Sequence, residues 1–158
     1  MGSDTITLRL ARKVDAAAIA AMSRVYIEAG LEWRYSADRV AHLIQDRDTA
    51  SLVAFDAQGR VHGFAIMHFG DVRAHLVLLC VRPTYRRRGI GRRLIEWLLT
   101  SARVAGIESL HLELRVDNDD ARAFYGKLGF IDAAVMPGYY DARVPAQRMV
   151  LMLRTPQP

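Results

Sequence analysis

Residues 86–91, Arg86-Arg87-Arg88-Gly89-Ile90-Gly91, join an apolar run, Leu76 to Val81, to a helix-like stretch that begins near Gly91. Glycine lets a backbone pass close to a ligand, and the first N–H groups of a helix have no partner within it, so a diphosphate fits such a place. The helix dipole adds roughly half a positive charge at its N-terminus. Arg86, Arg87, Arg88, Arg92 and Arg93 add formal charge around it. A second chemistry-bearing stretch follows. Leu110, Leu112 and Leu114 alternate with His111, Glu113 and Arg115, the period of a strand with one buried face and a titratable one. Asp117-Asn118-Asp119-Asp120 then offers a helix N-cap and an acidic first turn, and Ala121, Phe124, Tyr125 and Leu128 recur at helical spacing up to Gly129.

Two familiar phosphate motifs fail on this arginine-glycine run. A P-loop has Lys and then Ser or Thr after its second glycine, where Arg92 and Arg93 stand, and a dinucleotide fingerprint has a third glycine where Leu94 stands. What remains is R-x-x-G-x-G, which by itself reads equally as a surface turn and a solvated basic helix face. With the preceding Val81-Arg82-Pro83-Thr84-Tyr85 it resembles the acyl-CoA pyrophosphate loop of the GNAT family of N-acetyltransferases. Asn118 to Phe130, with Ala121-Arg122-Ala123-Phe124-Tyr125 and Leu128-Gly129-Phe130, resembles that family's second signature, N-x-x-A-x-x-F/Y-Y-x-x-x-G-F. The two lie in the family's order with one strand between them. The chain is thereby identified as a member, most similar to the branch that acetylates the N-terminal alanine of ribosomal proteins.

The resemblance implies an α+β GNAT acyl-CoA N-acyltransferase fold, with a mixed central sheet, splayed parallel strands and flanking helices. It implies acetyl-CoA as co-substrate, entering between the splayed strands, and direct transfer of the acetyl group to a primary amine. Transfer from a thioester to an amine needs the ammonium made neutral, the carbonyl polarised and the departing thiolate protonated. By resemblance Glu113 is the base, a position that otherwise reads as a solvent-facing strand carboxylate. His75 stands where many relatives carry a proton-handling Glu, and an imidazole titrates near neutrality. A plain strand histidine is its other reading. Tyr125 is the acid in the family, with its hydroxyl near the CoA sulfur, whereas its spacing alone makes it a core aromatic.

For the cofactor, the resemblance assigns Leu79, Cys80 and Val81 to the pantetheine arm, with a backbone N–H near Leu79 polarising the carbonyl. Arg86, Arg87, Arg88, Gly89, Ile90, Gly91 and Arg92 hold the diphosphate, and Asn118 contacts the CoA arm besides capping its helix. Glu28, Trp33 and Tyr35 are expected along one wall of the acceptor cleft. Tyr139 and Tyr140, in the loop expected between the last two strands, resemble a tandem pair that grips a peptide backbone; exposed tyrosines serve a homodimer contact equally well. The segment from Asp141 to Gln147 lacks the acidic stretch common in that branch. A peptide or protein N-terminus is the first-choice acceptor. A polyamine, amino acid or aminoglycoside is the alternative, and a non-catalytic acyl-CoA-binding module is a third reading that would not need Glu113 and Tyr125.

Composition sets the frame. With 158 residues, 51% hydrophobic and 25% charged, the chain is expected to form one domain, residues 1–158, with a core large enough to stand without disulfides. One cysteine, Cys80, excludes an intramolecular disulfide, and the five histidines, His42, His62, His68, His75 and His111, show no metal-ligand spacing, so no metal is expected. Cys80 reads as a small buried hydrophobe. No apolar run approaches the roughly 20 residues of a membrane span, and no signal-peptide core is apparent, so no membrane association and a cytoplasmic location are expected. The net charge of +5 would permit nucleic-acid binding, but the arginines gather at the glycine loop rather than interleaving with aromatics, and a bound CoA explains them better.

The elements that must position these groups read in the order β-α-α-β-β-β-α-β-α-β-β. Strands are expected at 5–10, 51–55, 61–69, 74–82, 110–116, 130–135 and 147–153. Asp15 is expected to cap an Ala-rich helix ended by Gly30, with Ala18, Met22, Val25, Tyr26 and Ala29 as its apolar stripe, and Ser36 to cap a short second helix carrying Val40, Leu43 and Ile44. Asp56-Ala57-Gln58-Gly59 reads as a hairpin loop. Helix 91–105 is expected to bury Leu94, Trp97, Leu98, Ser101 and Ala105.

Overall fold

The computed structural model describes residues 5–140 and 144–154. Seven strands form one mixed sheet: β1 (Thr7–Leu10), β2 (Thr49–Phe55), β3 (Val61–Phe69), β4 (Arg73–Val81), β5 (Ser109–Arg115), β6 (Ile131–Tyr140) and β7 (Val144–Met152), in the order β1-β2-β3-β4-β5-β7-β6. All neighbours are antiparallel except β4 and β5. Helices α1 (Ala16–Met22) and α2 (Ala37–Gln45) cover one face, and α3 (Ile90–Val104) and α4 (Asp119–Lys127) the other.

Each face has its own core, as a sheet buried on both sides requires. Ala65, Met67, Ala74, Leu76 and the three leucines of β5 pack with Leu94, Ile95 and Leu98 of α3 and Tyr125 of α4. On the opposite face Val53, Phe64, Ile66, Leu78 and Cys80 pack with Ile19, Met22 and Val40. Leu76 and Leu78 are two residues apart yet face opposite sides. The register explains it: Met67 opposes Leu76 and Ile66 opposes Leu78, which leaves Val77 as an extra, bulged residue. Glycine at 63 lets α3 sit close on β3, since a Cβ there would lie 3.2 Å from the Cys80 carbonyl and 3.3 Å from Ile90 Cγ2.

Most expected element positions hold, with three corrections. The first helix is preceded by a 3-10 turn (Lys13–Asp15) and gives way to a π turn (Ser23–Ile27). The change of pitch rotates the face, so Ile19, Met22 and Ser23 are buried while Val25, Tyr26 and Ala29 are exposed. Asp15 stands at the N-cap position of α1, but its side chain does not cap that helix as expected; it turns back to accept from the Arg12 N–H at 2.7 Å and from the two terminal guanidinium nitrogens of Arg9 at 2.6 and 3.0 Å. In α3 the buried set is Ile90, Leu94, Ile95, Leu98, Leu99 and Ala102, whereas Trp97 is exposed. Pro137 to Tyr140, expected as loop, prolongs β6.

Candidate active site

The parallel pair β4 and β5 is joined only over Arg73↔Ser109, Ala74↔Leu110 and His75↔His111. Beyond this point β5 pairs with β7 along its whole length, while β4 runs on from Leu76 to Val81 with no further β5 partner. The bulge at Val77 stands where the two strands part. A cleft therefore opens between the halves of the sheet, and the Leu79, Cys80 and Val81 backbone lies along the β4 side of it. Cys80 itself turns into the α1–α2 core, where burial pushes its thiol up to about 11 and leaves it an unreactive hydrophobe.

At the far end of β4 a short 3-10 turn (Pro83–Tyr85) leads to the arginine-glycine loop. Arg87 and Gly89 both have left-handed backbones, φ 63° and 78°, and Gly89 is the N-cap of α3. Helix geometry leaves the N–H groups of Ile90, Gly91 and Arg92 without intrahelical acceptors. An anion cradle is thus present in the backbone, with open space beside Gly89. The arginines around it differ in what they do. Arg86 Nε donates to the Val81 carbonyl at 3.2 Å, Arg88 lies over the Tyr85 ring at 4.7 Å, and Arg92 pairs with Glu96 at 2.8 Å. Arg93 is carried away to the Ile6 carbonyl at 2.9 Å. A Cβ on Gly91 would meet the Phe124 ring at 3.2 Å, so a glycine here lets α4 pack closely on the first turn of α3.

α4 starts as its sequence suggests. The Asn118 side chain accepts from the Ala121 N–H at 3.1 Å, and Gly129, φ 100°, ends the segment. This places Tyr125 in the core on the cradle's side of the sheet, 8% exposed and edge-on to Phe124 and Phe130.

The titratable face of β5 looks the other way, toward α1 and α2. Glu113, with only 7% of its side chain exposed, accepts a short hydrogen bond from His75 Nε2. Its second oxygen accepts from Arg148 Nε at 3.2 Å and from an Arg148 terminal nitrogen at 3.0 Å. Burial alone would raise the Glu113 carboxyl, but the hydrogen bonds and charges of His75 and Arg148 outweigh it and hold the group below its ordinary range. His111, one strand over from His75, is bonded through Nε2 to Ser109 Oγ at 2.9 Å and shifted down by burial and by the charges of Arg73 and Arg148. Arg148 was not expected. Its only sequence signal is that β7 alternates, and the Glu113↔Arg148 register is set by folding.

The segment between α1 and α2 closes this side. Arg115 on β5 donates to the Ala29 carbonyl at 2.6 Å. Glu28 is buried and accepts from Ser23 Oγ at 2.9 Å, the Arg34 N–H at 2.6 Å and the Tyr35 N–H at 3.2 Å, so its carboxylate clamps the loop. Tyr35 is half-buried beneath the Arg39 guanidinium, 4.6 Å from its ring; burial raises its phenol and the charges of Glu28 and Glu113 add to the effect, against Arg39 and Arg34. Trp33 is exposed and carries Arg24 over its ring at 4.9 Å. Tyr139 and Tyr140 have side chains outside the described residues, as does the whole of segment 141–143. Among the described residues no group of three His, Cys, Asp or Glu side chains converges on a common point that could hold a metal ion, and no helix is long and apolar enough to cross a membrane.

The folding pattern and the chain itself have known counterparts. The structure matches Ard1 from Thermoplasma volcanium with a TM-score of 0.84, covering 95% of this chain and 99% of that one at 26% identity. It matches the ribosomal-protein-S18-alanine N-acetyltransferase from Escherichia coli with a TM-score of 0.81, covering 97% of each chain at 28% identity. In sequence, 96 residues are 34% identical to the [ribosomal protein bS18]-alanine N-acetyltransferase of Salmonella typhimurium, an alignment spanning 61% of this chain and 65% of that protein. The family model described as acetyltransferase (GNAT) matches residues 19–130, from within α1 through the cradle and α4, and the chain belongs to that family.

Proposed function

We propose that this protein is an acetyl-CoA-dependent N-acetyltransferase that moves an acetyl group directly to a primary amine, with a peptide or protein N-terminus as first-choice acceptor. The observation that carries the reading is the Glu113–His75 pair at the point where β4 and β5 part, with the anion cradle on the same cleft. A pure acyl-CoA binder has no use for a buried carboxylate clamped against an imidazole there.

The loop suits an acyl-CoA diphosphate: left-handed Arg87 and Gly89 lead into the first α3 N–H groups, and Arg86, Arg87 and Arg88 put positive charge on the same segment. The stretch of β4 that has no β5 partner offers backbone groups to a pantetheine arm, and Asn118 caps α4 after β5. The donor then approaches from the α3–α4 face and the amine from the α1–α2 face, where Tyr35 and the Glu28-clamped loop form the wall. The Glu113–His75 pair takes the ammonium proton and Tyr125 protonates the leaving thiolate. The N-terminal preference draws on the similarity to the bS18-alanine N-acetyltransferases. A homodimer contact would draw on Tyr139 and Tyr140. The same reading makes residues 1–158 a single catalytic domain and places it in the cytoplasm with its acyl-CoA.

The test is an acceptor screen with acetyl-CoA, thiol detection and mass spectrometry, covering short Ala-starting peptides, polyamines, amino acids and aminoglycosides. Acetylation of a peptide α-amine with matching thiol release is expected, with Tyr125→Phe slowed about 10²–10⁴-fold at unchanged acetyl-CoA affinity. Turnover confined to a small-molecule amine would move the assignment to the alternative acceptor class. Acetyl-CoA binding with no turnover on any amine would overturn it.

A further inference from the structure

We infer that His75 is the proton acceptor of the site, and that Glu113 and Arg148 are positioning residues that hold and tune it. The inference rests on the acetyltransferase reading and names which member of the pair does the chemistry.

Exposure separates the partners. Glu113 has 7% of its side chain in contact with solvent and His75 has 41%. Both Glu113 oxygens already accept hydrogen bonds, one from His75 and one from Arg148, and little of the carboxylate is exposed to an incoming amine. An ionised acid that accepts a short hydrogen bond and a guanidinium is also a weak base. The imidazole is arranged the other way round. Nε2 faces the carboxylate and so carries the hydrogen, which leaves the Nδ1 lone pair for a proton from outside. A buried carboxylate fixing the tautomer of an exposed imidazole is the division of labour seen in hydrolase triads. Here Arg148 is a third member, shared with the carboxylate from β7.

The proton and electron movements close. An ammonium acceptor gives one proton to His75 Nδ1, directly or through a water, and its nitrogen lone pair attacks the thioester carbonyl. The C–N bond forms, the C–S bond breaks, and the thiolate takes the Tyr125 proton. The nitrogen's second proton returns to the Tyr125 oxygen, leaving the amide, the free thiol and a protonated His75 that discharges to water.

Charged and titratable groups surround the His75–Glu113 pair. Glu113 and His111 lie on β5, His68 opposes His75 on β3, Arg73 precedes it on β4, Arg148 comes from β7 and Tyr35 from the α1–α2 segment. Of these, Glu113 is the negative charge bonded to the ring and Arg148 a positive one bonded to the same carboxylate.

The test is the pH dependence of kcat/KM with a confirmed acceptor in the wild type, His75→Gln, Glu113→Gln, Arg148→Met and Arg148→Lys. His75→Gln is expected to lose about 10²–10³-fold near neutrality and to recover as pH rises and the amine is already neutral. Glu113→Gln, whose amide oxygen still accepts from Nε2, is expected to lose only about 10-fold and to move the acidic limb to lower pH. Arg148→Met moves that limb to higher pH and Arg148→Lys restores it, which a purely structural role would not do. Nitrogen NMR of His75 in the wild type should show the Nε2–H tautomer. Larger loss in Glu113→Gln than in His75→Gln, unmoved limbs, or the Nδ1–H tautomer would each overturn the inference. If no amine is acetylated, the acetyltransferase reading fails on its own, and the NMR tautomer still decides the arrangement.

Discussion

Glu113 stays ionised in a place that should neutralise it, and what keeps it so is two hydrogen-bond donors on neighbouring strands, the His75 imidazole and the Arg148 guanidinium. Its folded-state value lies below the unfolded one, so the pair contributes stability that is present above the unfolded carboxylate range and lost as pH falls through the folded value. Glu113→Gln should therefore cost about 1–3 kcal/mol of unfolding free energy at pH 7. The gap to wild type should close in acid, as the wild-type carboxyl takes up its proton. Urea titrations at neutral and acidic pH check this, and a gap that widens on acidification contradicts it. The individual residues were legible in the sequence in unequal measure. Glu113 and Tyr125 stand in motifs, whereas Arg148 reaches the site through an antiparallel register with β5, and a register is a property of the folded sheet.

At the level of elements, the cradle and the cleft are made by backbone. Left-handed Arg87 and Gly89 shape the loop, a bulge at Val77 opens the strands, and Gly91 lets α4 close against α3. Gly91→Val places a branched side chain where Phe124 sits 3.2 Å from a bare Cβ, and overpacking of this kind costs about 1–3 kcal/mol. The variant should be less stable and should bind acetyl-CoA weakly, because the wall supplied by α4 shifts with the first turn of α3. Calorimetric titration at unchanged affinity would contradict this. The two signature segments were readable because each carries a cap, a glycine stop and a clear period, and they predicted β5, α3 and α4 closely. The first helix was not, because a π turn at Ser23–Ile27 changes the pitch that a face assignment assumes. Pro137 and Gly138 suggested a loop, yet as part of the terminal β6 strand they need satisfy only one neighbour, a position that tolerates both.

Across the whole molecule, the proposed mechanism divides the reaction between the two faces of the sheet. The cradle, Asn118 and Tyr125 belong with α3 and α4, while His75, Glu113, Arg148 and Tyr35 belong with α1 and α2, and the two sets meet only where β4 and β5 part. In the proposed mechanism donor and amine meet in one ternary complex and the acetyl group passes directly between them; the single thiol, Cys80, is buried and is no acyl carrier. The central claim is direct transfer at this cleft, and rapid-quench mixing read by intact-protein mass and thiol release tests it most directly. Enzyme mixed with acetyl-CoA alone should release no thiol and keep its mass, and addition of the acceptor amine should then yield one thiol and one acetylated amine per site in a single phase. A thiol burst before the amine is added, accompanied by an acetylated protein, would contradict it.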